Sequence, residues 1–264
     1  EQRLNINELD NLIDNLGFSQ YEFYHYATMN DYANNFSMKI RRAALNPNDE
    51  MLKKHLLDVY FKPESQYSNV SKDLACYYSI KITFKQDWNF HKINLAELEH
   101  IYNHLLKQSY FGYYEYLLLM NVGTLLEESK MLDLAHLMYP LEDESFRDQF
   151  TKKYALTGMI NTLSKLLYNK SYEQAKQLII VAKQVDTENT DYYYRLSVQY
   201  LENMLSYFET ENPDYLRKIY SMIELIKDIG DQEIAKLISE EVMKLLTQEY
   251  ISEDDLPLTL IKDR

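Results

Sequence analysis

The stretch YFGYYEYLLLMNVGTLLEESKMLDLAHL, residues 110–137, decides the fold. It opens with four aromatics in five positions and then sets one amide, Asn121, into an otherwise apolar run. The chain repeats the arrangement in KYALTGMINTLSKLLYNKSYEQAKQL, residues 153–178, where the amide is Asn161. Tyr114, Tyr154 and Tyr194 are 40 residues apart, as are Asn121 and Asn161, Lys130 and Lys170, and Ala135 and Ala175. Self-similarity at a fixed period of this length marks an array of stacked supersecondary units. Each unit reads as two helices. The first helices are YYEYLLLMNVGTLLEE, KKYALTGMINTLSKLLYN and DYYYRLSVQYLENMLSYFE; the second are MLDLAHLMY, SYEQAKQLIIVAKQV and DYLRKIYSMIELIKDIG. A last helix, DQEIAKLISEEVMKLLTQEY, has no partner after it and is expected to cap the stack.

Outward from this core, the N-terminal part also reads as helices. Leu4, Ile6, Leu9, Leu12, Ile13 and Leu16 trace an amphipathic helix closed by Gly17. Ser19 and Glu22 have capping-box spacing, as do Asn94 and Glu97. Residues 32–61 read as helix, Asn46-Pro47-Asn48 turn, helix; residues 69–84 form a further short helix. In the second helices, Ala175, Ile179 and Ala182 resemble the small–large–small pattern of tetratricopeptide repeats, in which small residues let helices approach closely. The expected fold is all-α: a right-handed superhelical stack of tetratricopeptide-like helix pairs with a C-terminal capping helix. The tail, residues 251–264, is expected to be extended or loose.

Composition agrees. Of 264 residues, 46% are hydrophobic, enough for a sizeable core, and only five are glycine and five proline, too few for a hairpin-rich sheet protein. The 25 tyrosines suit both cores and binding surfaces, although the codon bias of an AT-rich genome is a competing source. A net charge of −13 repels phosphate backbones, so the chain as given is a poor nucleic-acid binder. The single cysteine, Cys76, permits no internal disulfide, which fits a reducing cytoplasm. No run is long and apolar enough for a membrane span, and the missing initiator Met suggests a fragment.

In tetratricopeptide arrays the first helices line the concave groove. Counting from the small residues puts Asn121 and Asn161 at a position that looks into it. An amide offers an acceptor and two donors, so a row of them can hold the backbone of an extended peptide, with apolar pockets between reading its side chains. The alternative is that each Asn satisfies a neighbouring helix or a helix end inside the stack.

The residues KINLAELEHIYNHLLKQSYFGYYEYLLLMNV, and within them Phe111, Gly112, Tyr113, Tyr114 and Glu115, resemble a segment of Rgg/GadR/MutR-type regulators. NINELDNLIDNLGFSQYEFY is similar to the end of their N-terminal helix-turn-helix domain and the linker leaving it. The resemblance spans essentially the whole chain. It implies a cytoplasmic transcription regulator of Gram-positive bacteria: a homodimer that binds promoter DNA through an N-terminal domain absent here and a short signalling peptide through its helical repeats. It divides the chain into residues 1–27 (end of the DNA-binding domain and linker helix), 28–250 (repeat sensor domain) and 251–264 (tail). Carried over by position, the peptide-contacting candidates are Asn121 and Asn161, then Tyr114, Tyr154, Tyr194 and Arg195. Arg195 would pair with a peptide carboxylate or, equally, with a surface Asp or Glu. Arg41 and Arg42 stand either at the groove mouth or in solvent. The capping helix carries Ile234, Leu237, Ile238, Val242, Leu245 and Leu246, an apolar face broad enough for a dimer interface; holding the tail is the alternative.

Chemistry is hard to find. His100 and His104 have helical i, i+4 spacing near Glu97 and Glu99, but no third metal ligand is in reach, so no metal is expected. Cys76 has Lys72 one turn back, yet reads as a core thiol. Gly-rich phosphate loops, nucleophile elbows and Cys-x-x-Cys motifs are missing, so neither an enzyme nor a cofactor is expected. Two rival functions stay open: a helical-repeat protein–protein adaptor, and a sister regulator whose groove is filled by its own side chains.

Overall fold

The computed structural model describes residues 5–15, 36–185 and 191–247. The expected Ser19–Glu22 capping box, the Gly17 stop, the linker and the tail 251–264 lie outside the described residues. Twelve α-helices occur among the described residues: α1 (Ile6–Asn15), α2 (Phe36–Leu45), α3 (Glu50–Tyr60), α4 (Ser71–Thr83), α5 (Leu95–Leu106), α6 (Tyr113–Val122), α7 (Glu128–Met138), α8 (Gln149–Tyr168), α9 (Tyr172–Ala182), α10 (Tyr192–Thr210), α11 (Pro213–Asp228) and α12 (Gln232–Thr247). Short 3-10 turns interrupt at Pro63–Tyr67, Gly123–Leu125 and Glu144–Phe146. The pairs stack so that α4, α6, α8 and α10 pack side by side as one layer, while α5, α7, α9 and α11 sit behind them. The small residues that the repeat pattern requires, Ala135, Ala175 and Ala182, are fully enclosed between the layers.

Helix starts follow side-chain chemistry. Asp49, Asp148, Asp191 and Asn212 each accept a backbone N–H from the first turn of their helix. Asn94 and Glu97 form the expected capping box, and Asn5 and Glu8 form another that opens α1. The Asn46-Pro47-Asn48 turn is present, closed by the Asp49 N–H on the Asn46 carbonyl at 3.1 Å. Glu97 does more than cap. Its side chain is 1% exposed, and its Oε1 accepts the Lys81 Nζ of α4 at 2.6 Å and the Tyr78 hydroxyl at 3.3 Å.

Several tyrosines find their use here. The last carbonyls of a helix have no partner within it. Tyr116 donates its hydroxyl to the Met138 carbonyl that ends α7, and Tyr194 donates to the Ala182 carbonyl that ends α9, each at 2.8 Å. Tyr78 does the same for Gln66, near the end of the first 3-10 turn, at 2.9 Å. Each ring fills core space while its hydroxyl closes an open helix end. At the N-terminal end of the stack the single tryptophan, Trp88, stacks on Phe84 at 3.7 Å and donates to the Pro47 carbonyl.

The histidine pair is structural. His100 Nε2 lies 3.0 Å from the Ser68 carbonyl and His104 Nε2 lies 2.9 Å from the Ser71 hydroxyl, so both pin the turn that opens α4. Among the described residues no cluster of three or more His, Cys, Asp or Glu could hold a metal. Burial lowers the His104 pKa below its usual value. A folded-state pKa below the unfolded one means that the neutral ring stabilises the fold above the unfolded value, and that this contribution is lost as pH falls through it. Wild-type stability is therefore expected to fall as pH drops below about 6.5, and His104→Asn to remove that part of the slope, checked by thermal melts across pH 5–8.

Candidate functional site

The inner surface is identified by contacts that skip a helix. In a curved layer, helices that are not neighbours come within hydrogen-bond reach only on the concave side. Two such bridges occur among the described residues. Ser37 of α2 reaches past α4 to the hydroxyls of Tyr113 on α6 and Tyr154 on α8, the latter at 3.0 Å. Glu241 of α12 accepts the Ser164 hydroxyl of α8 and the Tyr200 hydroxyl of α10. Both bridges land on one stripe of α8. Each residue turns a helix by about 100°, so Tyr154, Thr157, Asn161, Ser164 and Tyr168 fall within about 80° of each other. Four of these five are half-buried, whereas most of the rest of α8 is enclosed by its neighbours.

The sequence candidates divide on this map. Asn161 lies mid-stripe, its Nδ2 donating a long 3.4 Å bond to the Met120 carbonyl of α6. Asn121 faces the same layer from α6 but is only 8% exposed, and its Nδ2 donates to Ser79 of α4 at 2.9 Å and to the Leu117 carbonyl at 3.0 Å. Each amide thus ties its helix to the adjacent one. Tyr154 belongs to the stripe, and Tyr114 is half-buried with its ring edge-on to Tyr113 at 4.9 Å. Burial, followed by the neighbouring Tyr154 phenol, pushes the Tyr113 hydroxyl well up; burial does the same for Tyr114, so both remain proton donors.

Tyr194 and Arg195 do not join them. Tyr194 is 2% exposed with its hydroxyl on α9. Around α10 it stands about 120° from Tyr200, and Arg195, which is exposed, about 140°. The 40-residue register that relates α6 to α8 is lost at α10. A third amide, Asn203, lies about 60° from Tyr200; it is 8% exposed and donates to the Gln199 carbonyl, much as Asn121 donates to Leu117. It is 42 residues after Asn161, so a strict 40-residue spacing passes over it.

The capping helix also differs from expectation. Ile238, Val242 and Leu245 are 1%, 0% and 3% exposed: with Ala235 they form the 3-4-3 stripe that packs α12 onto its own chain. Half of the six interface candidates are therefore core. Ile234 and Leu237 are half-buried on one flank of that stripe, Leu246 is half-buried on the other, and Met243, about 60° beyond Leu246, is exposed. Arg41 is half-buried and Arg42 exposed. Cys76 is buried, and that burial pushes its thiol up to about 12, so it is not an activated nucleophile.

The family model for the C-terminal domain of the HTH-type transcriptional regulator Rgg matches residues 53–240. That is well over half of the chain, which therefore belongs to this family of transcription regulators. Among solved structures, the PrgX/cCF10 complex superimposes with a TM-score of 0.75 at 19% identity, covering 95% of this chain and 82% of the other. The SHP pheromone receptor Rgg2 of Streptococcus dysgalactiae gives 0.72 at 17% identity, covering 92% and 86%. A transcriptional regulator from Listeria monocytogenes EGD-e gives 0.72 at 15% identity, covering 95% and 86%. At these identities the likeness establishes the helical-repeat fold alone. No curated protein sequence matches the chain. No helix among the described residues is long and apolar enough to cross a membrane.

Proposed function

We propose that this chain is the peptide-sensing and dimerising region of a cytoplasmic Rgg-type regulator, and that a short apolar peptide lies along the concave face of α6, α8 and α10. Binding would shift the balance between two packings of the helix pairs and so re-aim an N-terminal DNA-binding domain. Nothing is transmitted unless the two packings differ in affinity for the peptide. The observation that carries this reading is the α8 stripe: hydroxyl, amide and hydroxyl at Tyr154, Asn161 and Ser164, left half-buried on a helix whose other residues are mostly enclosed. The family and its structural neighbours, a PrgX/cCF10 complex and a pheromone receptor, point the same way. Asn161 has one weak bond to give up. Both bonds of Asn121 leave from its NH₂, so its carbonyl remains the group offered to a guest amide. A second copy would rest on the flank of α12 that carries Ile234 and Leu237.

Isothermal titration with synthetic apolar peptides of about eight residues, spanning roughly 25 Å when extended, tests it. Asn161→Ala is expected to weaken binding by about 5- to 100-fold, the 1–3 kcal/mol lost when a guest amide is left unpaired. Unchanged affinity removes Asn161 from the site. One observation favours the sister-regulator reading: Ser37 and Glu241 already occupy the two ends of the stripe. A wild-type chain that binds no peptide of the set supports that alternative.

A further inference from the structure

We infer that the Ser164 and Tyr200 hydroxyls form a carboxylate-binding pocket, that Glu241 occupies it as an internal stand-in, and that the C-terminal carboxylate of a bound peptide displaces Glu241 and frees α12. The inference rests on the groove reading above and adds to it the polarity of the ligand and the way its arrival is reported.

Two donors from two helices converge on one carboxylate from a third. Ser164 Oγ on α8 donates to Oε1 of Glu241, and Tyr200 Oη on α10 donates to Oε2. One donor per oxygen is how a carboxylate is received at a specific site. The Tyr200 ring is 0% exposed, so its hydroxyl is held in place before any guest arrives. The stand-in is poorly compensated. Burial pushes the Glu241 carboxyl above its usual range; the two hydroxyl bonds and the Lys244 charge offset this only in part. Among the described residues its hydrogen-bonding partners are the two hydroxyls and no cation. A guest carboxylate that takes the same two donors exchanges one half-buried anion for another, and Glu241 regains water. The exchange is near balance, so modest additional contacts along the groove can tip it.

Geometry fixes which carboxylate. From Tyr154 to Ser164 the α8 stripe runs about 15 Å, the length of about four or five extended residues. A peptide lying along the stripe with its C-terminus at Ser164 would use Asn161 for its backbone and end in the pocket. The displaced residue belongs to α12, which is also held by its apolar stripe and which carries Ile234 and Leu237 on the flank next to Glu241. Peptide arrival is thereby coupled to the helix that the groove reading assigns to the second copy.

The test uses the same apolar peptides, each made with a free C-terminal carboxylate and as the C-terminal amide, with hydrogen–deuterium exchange followed over residues 232–247. The acid form is expected to bind about tenfold more tightly than the amide and to speed exchange in α12. Glu241→Ala, which removes both acceptors, should speed that exchange without peptide, and Tyr200→Phe, which keeps the ring, should do so as well. Ser164→Ala should abolish the difference between acid and amide. If acid and amide bind equally and α12 exchange does not change, the pocket is overturned while the groove reading stands. If neither form binds, the groove reading fails and the ligand half of the inference with it. If both Glu241→Ala and Tyr200→Phe leave α12 exchange as in the wild type, the latch is overturned whatever the peptides do.

Discussion

Replacing Glu97 with alanine is expected to lower the unfolding free energy by about 3–5 kcal/mol, a large share of the roughly 5–15 kcal/mol that holds a domain together. Three losses coincide at that position. The capping box that starts α5 disappears, because Glu97 Oε2 accepts the Asn94 N–H at 2.9 Å. Lys81, with a side chain only 9% exposed, is left as a buried cation without its 2.6 Å partner. Tyr78, wholly enclosed, loses one of its two acceptors. An unpaired buried charge is the dominant cost, so the controls should rank accordingly. Glu97→Gln keeps an acceptor for the Asn94 N–H but removes the counter-charge, and should lie close to alanine. The double change Glu97→Gln with Lys81→Met leaves no unpaired charge and should be milder, whereas Lys81→Met alone would strand the Glu97 carboxylate, 1% exposed. Urea unfolding followed by far-UV circular dichroism measures them all. A loss under about 1 kcal/mol for Glu97→Ala, the level of an exposed pair, would contradict the assignment of a buried ion pair.

Tyr116→Ala should be nearly as damaging, at about 3–5 kcal/mol, for an unrelated reason. Its ring is enclosed between α6, α7 and Tyr139, and its hydroxyl closes the end of α7 through the Met138 carbonyl. The pair Tyr116→Phe and Tyr116→Ala separates the two contributions. Phenylalanine keeps the packing and strands one carbonyl, for about 1–2 kcal/mol; alanine adds the cavity. If Tyr116→Phe matches the wild type in the same urea titration, the hydroxyl contributes nothing as a helix-end plug.

How much of this could be read from the letters depends on what kind of information each feature needs. The all-helical stack was legible because it follows from local periodicity and from two units in strict 40-residue register, Tyr114 with Tyr154 and Asn121 with Asn161. The Asn94–Glu97 box was legible because its partners are three residues apart. Its second use, pairing with Lys81 sixteen residues earlier, was not, since that depends on how α4 and α5 pack. The third unit defeated the extrapolation. Tyr194 keeps the spacing but not the face, and Asn203, 42 residues after Asn161, was missed because it falls outside the strict spacing. In α12, sequence showed an amphipathic helix and could not divide its apolar residues between the chain's own core and a partner. The bridges from Ser37 and Glu241 to the α8 stripe join residues 117 and 77 apart in sequence, and no local pattern announces them.

The placement of Trp88 has a practical consequence. Its indole rests on Phe84 and on the turn at Pro47, at the N-terminal end of the array, while the tyrosines are spread along the whole of it. In a one-dimensional stack each unit leans mainly on its neighbours, so the ends can loosen independently. Light emitted by this lone fluorophore therefore reports on the first pairs only, and says nothing directly about α12 or the latch some 150 residues further along. Set beside the backbone signal, it turns an ordinary melt into a readout of which end lets go first.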